Sequence, residues 1–384
     1  MGKKHVCFIF IQSLVSQLNN QVDLGNQQEK PAQMYLNGID QKTTFILGAG
    51  ATRGSLNHVV VNRKRLRPPL NGDFFDVAKT FARASGRGSM AEKRLVRLKR
   101  FFKDELPVKG TPSMEEAFNL LYIAKDFPEI YNVRPGRKSL PGERQEIEDF
   151  LLLVFQMLSK VGSATGENGY KRLVTRLGPY DTIITLNYDT LLDSALFDEG
   201  WNPMVGYCIA GGTKKIKWKP KNLVPASKVS NIHLLKLHGS LNWFVRGSFV
   251  NLSSVFDKKP VNISVPRERE IAGHVRQIIP PIYGKFFRHD HWRRLWRLAH
   301  EALQKADLLV VVGCSLVDTD FHLRALISRV VQYRRKNSRL FNEVFVVDHN
   351  LHIRRKWARV LRGAAKKFKH INRFEKFLHE EVRV

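Results

Sequence analysis

Apolar residues in this chain gather into short continuous runs, not into alternating ones. Thr43-Thr44-Phe45-Ile46-Leu47 is the first, and Thr182-Ile183-Ile184-Thr185-Leu186 the second. Ile232-His233-Leu234-Leu235-Lys236-Leu237, Leu308-Leu309-Val310-Val311-Val312 and Val344-Phe345-Val346-Val347 complete the set. Runs of this length, rich in β-branched residues and leucine, predict strands buried on both faces, as in a parallel sheet. Each run ends in glycine or polar residues: Gly48-Ala49-Gly50, Asn187-Tyr188-Asp189, His238-Gly239, Gly313-Cys314-Ser315 and Asp348. Open α/β sheets bind ligands at the carboxyl ends of their strands. Five such clusters along one chain therefore predict a site.

Elsewhere the apolar spacing is helical. Phe74-Phe75-x-Val77-Ala78 and residues 147–158 are examples, with loop material at Arg134-Pro135-Gly136 and Pro141-Gly142 between them. Trp292, Leu295, Trp296, Ala299 and Leu303 fall on one face of another helix, and Arg293, Arg294 and Arg297 on the others. The stretch from Arg354-Arg355-Lys356-Trp357 to Lys369 reads as a strongly basic helix. The expected fold is α/β: a Rossmann-like parallel sheet with helices on both faces and an inserted helical subdomain. This divides the chain into an N-terminal extension over 1–40, a Rossmann-like core over 41–66 and 175–350, a helical insertion over 67–174 and a basic C-terminal helical tail over 351–384.

Composition narrows the setting. The 384 residues carry 64 Lys and Arg against 35 Asp and Glu, a formal net charge of +29. Such a surplus favours polyanionic partners, nucleic acid among them. Its bland counterpart is a solvated basic surface. The three cysteines, Cys7, Cys208 and Cys314, form no C-x-x-C pair, which argues against a disulfide framework and a four-cysteine zinc site. A reducing, cytoplasmic setting fits. Val6-Cys7-Phe8-Ile9-Phe10-Ile11 reads as a weak signal peptide, a short strand, a partner-binding arm or the product of an upstream start, with Met34 as the alternative start. No stretch is long enough for a membrane helix.

Gly48-Ala49-Gly50-Ala51-Thr52-Arg53-Gly54-Ser55 is a glycine-rich turn between strand and helix, where backbone N–H groups approach a pyrophosphate. It departs from G-x-G-x-x-G, since the third glycine comes one position late. It also lacks the G-K-[ST] ending of a P-loop. Its alternative is a plain tight turn. Asn187 and Asp189 are either site residues or caps of the helix over 190–197. His238 is either a base or a structural histidine. Asp318 and Asp320 are equally open to a capping role.

Taken in order, Gly-Ala-Gly, Thr-x-Asn-Tyr-Asp, Leu-His-Gly-Ser and Gly-Cys-Ser-Leu-x-Asp resemble the motifs of the Sir2 (sirtuin) superfamily. The chain is similar in particular to the bacterial Sir2-like branch linked to antiphage defence and NAD depletion. Ile279-Pro280-Pro281-Ile282-Tyr283-Gly284-Lys285 before a Trp-rich helix looks like that branch too. The resemblance spans most of residues 43–348. It implies that Gly48, Ala49, Gly50, Ala51, Thr52 and Ser55 cradle the phosphates of NAD, bound as substrate. It implies that Asn187 and Asp189 hold the nicotinamide ribose and the attacking water, and that His238 is the general base or a ribose-hydroxyl partner. Gly313 and Ser315 are then expected at phosphate or the adenosine ribose, and Asp348 at the adenosine ribose, where deacylating sirtuins usually carry Asn.

Deacylating sirtuins also carry a zinc module of two C-x-x-C pairs, which this sequence lacks, and the helical insertion stands in its place. No zinc or other metal is expected. Hydrolysis of NAD to nicotinamide and ADP-ribose is favoured over peptide deacylation. The reading from a different class is a basic nucleic-acid-binding or assembly subunit with a NAD- or ADP-ribose-sensing pocket. Its basic faces would be Arg94, Arg97, Lys99, Arg100 and Lys103 on one side and the C-terminal helix on another. A defence NADase must stay silent until triggered, so control by self-assembly, as a homo-oligomer, by a partner protein or by a nucleic acid is expected.

Overall fold

The computed structural model describes residues 41–104, 110–127, 145–209, 228–246, 249–250, 275–280, 290–318 and 320–379. The N-terminal extension, with Cys7, residues 6–11 and Met34, lies outside the described residues, as do residues 281–285 of the Ile-Pro-Pro motif.

Six strands form one parallel sheet: β1 (Thr43–Leu47), β4 (Thr182–Thr185), β5 (His233–Lys236), β9 (Leu308–Val312), β10 (Phe341–Val347) and β11 (Ala365–Ile371). Their order across the sheet is β11-β10-β9-β1-β4-β5. The chain runs from β1 through β4 to β5 in one direction. It then returns to the other side of β1 and continues through β9 and β10 to β11. The reversal falls between β1 and β9, which makes that crevice the topological switch point of a Rossmann-like α/β fold. All five residues of β1 and of β9 are buried, as their unbroken apolar runs require.

Helices flank the sheet. They are α1 (Ala49–Ser55), α6 (Gly169–Val174), α7 (Leu191–Asp198), α8 (Asp290–Lys305), α9 (Phe321–Lys336), α10 (Leu351–Val360) and α11 (Phe374–His379). Helix α8 buries Trp292, Leu295, Ala299 and Leu303 and leaves Arg293, Arg294 and Arg297 exposed, the arrangement its spacing predicts. Buried Arg334 donates to the carbonyls of Leu303 (2.8 Å) and Ala306 (2.6 Å), which satisfies the end of that helix.

The insertion has its own apolar core. A hairpin, β2 (Val59–Val61) and β3 (Lys64–Leu66), joins α2 (Phe74–Ser85), α3 (Met90–Asp104), α4 (Met114–Asp126) and α5 (Gln145–Gly162). Phe74, Phe75, Phe118 and Phe150 meet at its centre, mostly edge to face. The side chains of Val59, Val61 and Leu66 belong to this core, whereas Tyr170, Leu173 and Val174 of α6 belong to that of the sheet.

Two expectations are corrected. The basic C-terminal helix stops at Val360, and Ala365–Ile371 is a sixth parallel strand paired with β10. Gly363, at φ +73°, ends the helix, and the lysines of β11 suit an edge strand whose outer side has no partner in the sheet. The basic face expected on α3 is not continuous. Arg94 is buried, and Arg97 makes a two-pronged ion pair with buried Asp149 of α5 (2.6 and 2.7 Å), so both serve packing. The stretch after His238, on which the sequence carried no expectation, forms a second sheet, β6 (Gly239–Arg246) between β7 (Phe249–Val250) and β8 (Val275–Ile278).

Candidate functional site

The strand register lines up the ends of the sheet. Ile371 pairs with Val347, Val347 with Val312, Val312 with Leu47, Leu47 with Thr185, and Thr185 with Lys236. Asp348, Gly313, Gly48, Asn187 and His238 therefore all follow one row of residues, on one rim. From β5 to β10 is four interstrand steps of about 4.8 Å, roughly 19 Å in all.

At the switch point two glycine turns are pressed together. Gly50 N donates to Gly313 O (3.0 Å), and Gly48 N to Val312 O (3.0 Å). A Cβ on Gly313 would lie 2.2 Å from Ala51 N, and one on Gly48 would lie 2.5 Å from Gly313 O. Gly313 also has φ +54°, in the left-handed region. Side chains are excluded from both turns, so backbone lines this part of the rim.

Asn187 is fixed by its amide. Nδ2 donates to Gly48 O (2.9 Å) and to Thr52 Oγ1 (2.9 Å). Gly48 O only accepts, which settles the orientation of the amide and leaves Oδ1, an acceptor, as its other polar atom. Thr52 Oγ1 passes its own proton to Asp189 Oδ2 (3.0 Å) and lies 3.0 Å from the Tyr170 hydroxyl. Asp189 Oδ1 takes the N–H of Leu191 at the start of α7 (3.1 Å). Burial holds the Asp189 carboxyl above its ordinary range, partly offset by nearby Lys236. Lys236 Nζ itself binds Asp189 O (2.6 Å) and the buried carboxylate of Asp193 (3.0 Å), to which Tyr207 also donates.

His238 stands at the junction of the two sheets. Its carbonyl accepts from Ile279 N (2.8 Å), and Ile279 O accepts from the Tyr188 hydroxyl (2.7 Å). Its ring Nε2 is 3.0 Å from Asp320 Oδ2, both side chains being buried. Asp320 Oδ1 caps α9 through Leu323 N (3.2 Å). A carboxylate 3.0 Å from Nε2 favours the ring proton on that nitrogen and leaves Nδ1 as the more basic one.

These elements enclose one cavity of about 720 Å³, within the usual range for ligand sites. Gly48, Ala49, Gly50, Asn187, His238, Gly313, Ser315 and Asp348, eight of the residues expected at the site, line it. Four others do not. Ala51, Thr52 and Ser55 are buried on the core side of α1, where Ser55 Oγ accepts from Tyr170 N (2.7 Å). Helical spacing puts Gly50, Arg53, Gly54 and Asn57 on the cavity side instead. Asp189 is turned away behind Thr52, so it acts on the wall only through that hydroxyl.

Two acidic lining residues escaped the sequence reading. Asp320 was legible only as a cap. Glu115 comes from the insertion, where Ser113 and Glu116 form a capping box at the start of α4 and Asn71 Oδ1 accepts from Glu115 N (2.9 Å). Nothing local in the sequence links Asn71 or Glu115 to a rim assembled from turns spread between Gly48 and Asp348. Arg373, after β11, lines the wall on the Asp348 side of the rim.

Among the described residues no group of three or more His, Cys, Asp or Glu side chains is arranged to hold a metal ion. No helix among them is long and apolar enough to cross a membrane. Residues 181–357 match the family model of the SIR2-like domain. That span covers β4 to α10 and therefore Asn187, His238, Gly313, Asp320 and Asp348. No curated protein matches the chain. The six-stranded parallel sheet is Rossmann-like, and residues 181–357 of it and its helices are similar to the SIR2-like domain, a family that uses NAD as substrate.

Proposed function

We propose that this protein is a NAD glycohydrolase that cleaves the nicotinamide–ribose bond and releases nicotinamide and ADP-ribose. The observation that carries the reading is that Asn187 and His238 line one cavity with the Gly48–Gly50 and Gly313 turns. NAD would lie along the rim with its pyrophosphate over those backbone turns. Its adenosine would lie toward Asp348 and its nicotinamide ribose toward Asn187 and His238.

The bond from the ribose C1′ to the nicotinamide nitrogen breaks with its electron pair going to the ring. That ring is cationic beforehand, so no strong acid is required. The sugar passes through an oxocarbenium-like state, as in glycoside hydrolysis. Water attacks C1′. Asn187 Oδ1 accepts one hydrogen of that water and orients it, while His238 takes the proton it loses. Asp320 keeps His238 in the tautomer this step needs, and Asp189 holds the Thr52–Asn187 chain in place. Both are positioning residues.

Hydrolysis is favoured over deacylation because three cysteines cannot build the two C-x-x-C pairs of the zinc module that helps form the acyl-lysine groove. In a cell the outcome is NAD depletion in the cytoplasm, as in the antiphage branch, under control by self-assembly or a partner. The test is incubation of pure protein with NAD alone, then identification of products. ADP-ribose and nicotinamide support the reading. O-acyl-ADP-ribose formed only with an acylated peptide replaces it with deacylation. Asn187→Ala and His238→Ala should each slow nicotinamide release at least ~10²-fold, and near-native turnover in either sinks the assignment.

A further inference from the structure

The positive charge of this protein is unevenly placed. Residues 324–373 hold 15 Lys and Arg against two acids, Glu343 and Asp348. Both acids are occupied: Lys369 pairs with Glu343 (2.7 Å), and the Asp348 carboxylate accepts from Asn350 N (2.8 Å) beside the cavity. Arg324 and Lys356 are used by Asp318, and Arg334 is buried at the end of α8. The remainder faces solvent.

Helix α10 orders part of that remainder. Trp357 is its fully buried residue and donates to Cys314 O (2.7 Å), which fixes the roll of the helix. Arg355 and Arg359 of α10, and Arg362 in the turn that closes it, recur at i, i+4 and i+7 on the side opposite Trp357, all exposed. They make one stripe about 10 Å long, with neighbours about 5–6 Å apart. The turn after Arg362 leads into edge strand β11, which adds exposed Lys366 and Lys367, and Arg335 packs against the same turn at Gly363. Among the described residues no carboxylate is paired with any of the three stripe arginines.

We propose that this face docks a nucleic acid duplex through its phosphates. Guanidiniums repeating along a helix and its closing turn suit the regularly repeating charge of a duplex backbone. The outward stripe carries no aromatic side chain on which an unpaired base would stack, so single strands gain nothing extra there. Its exposed large apolar side chain is Leu351 alone, too little apolar surface to seat the helix in a lipid layer, since Trp357 is committed to the core. The contact is with backbone, and it is therefore independent of sequence. Helix α10 begins at Asn350 and Ile353, which line the NAD cavity, so the docking face and the site share one rigid element.

The test is fluorescence anisotropy of a labelled ~30-bp duplex with the full chain between about 50 and 200 mM salt. The native protein should bind, with log K falling linearly against log salt. The combined variant Arg355→Ala, Arg359→Ala, Arg362→Ala should lose about tenfold or more in affinity and flatten the slope by about 2.7, at 0.9 per phosphate. The variant with lysine at all three positions should retain most of the binding. A variant with alanine at Lys93, Lys99 and Arg100, on α3, should bind like the native protein. Absence of duplex binding at low salt overturns the proposal. So do an unchanged slope in the alanine variant, failure of the lysine variant, an equal loss in the α3 variant, or binding to phosphatidylserine vesicles in place of duplex. None of these readings depends on NAD turnover.

Discussion

His238 Nε2 lies 3.0 Å from Asp320 Oδ2, across a gap of more than eighty residues in sequence, and both side chains are buried. One oxygen of Asp320 holds the ring while the other caps α9. The position of the His238 ring is thus tied to the start of a helix whose first turn forms part of the cavity wall.

Replacing Asp320 by Asn keeps an oxygen for Leu323 N but offers the imidazole an N–H. The ring would then carry its proton on Nδ1, the wrong nitrogen for accepting one from water. Asp320→Asn should therefore fold normally and lower the rate of nicotinamide release at least ~10²-fold, as loss of an orienting carboxylate does in hydrolytic triads. Steady-state kinetics beside a thermal melt checks this. A variant that keeps its rate removes Asp320 from the machinery.

Gly313 tests the glycine crossing. A Cβ there would meet Ala51 N at 2.2 Å, at a backbone angle of φ +54°. Gly313→Ala should cost at least ~2 kcal/mol of stability. Gly72→Ala, where an added Cβ meets nothing within 4 Å, should leave stability nearly unchanged. Urea unfolding of the two variants compares them directly, and equal midpoints would mean that the turns separate easily.

Asp189 sets a pH dependence. Its folded pKa is raised by burial, above an unfolded value of about 3.9. A group raised in this way contributes stability fully below its unfolded pKa and loses it as the pH rises through the folded one. Acidifying from neutral toward pH ~4 should therefore stabilise the native protein relative to Asp189→Asn. Unfolding both proteins in urea across that range measures the difference. If the gap does not move with pH, Asp189 ionises alike in the two states.

The described cysteines should be inert. Burial pushes the Cys314 thiol up to about 12 and that of Cys208 up to about 11. At pH ~8 almost none of either is thiolate, the reactive form. Iodoacetamide followed by peptide mass spectrometry should label both only after unfolding. Rapid labelling of native Cys314 would place it in an open part of the wall.

The sequence by itself determined the sheet and its rim. Unbroken runs such as Leu308–Val312 can only be buried strands, and their polar endings mark the edge where ligands gather. Asn187, His238, Gly48 and Gly313 were legible for that reason. The order of the strands was not legible, because it depends on which run pairs with which, and that brings β9 beside β1 across 260 residues. The same distance hid the jobs of particular side chains. Thr52 looked like a phosphate ligand until the roll of α1 turned it toward Asp189, and Asp320 looked like a cap until β5 set His238 against it. Strand β11 was concealed by its lysines, which read as helix surface until pairing with β10 made them the margin of a sheet. Local pattern fixes which residues are buried and where a chain turns. Which buried polar group meets which is decided by packing between distant segments, and only the tertiary structure holds it.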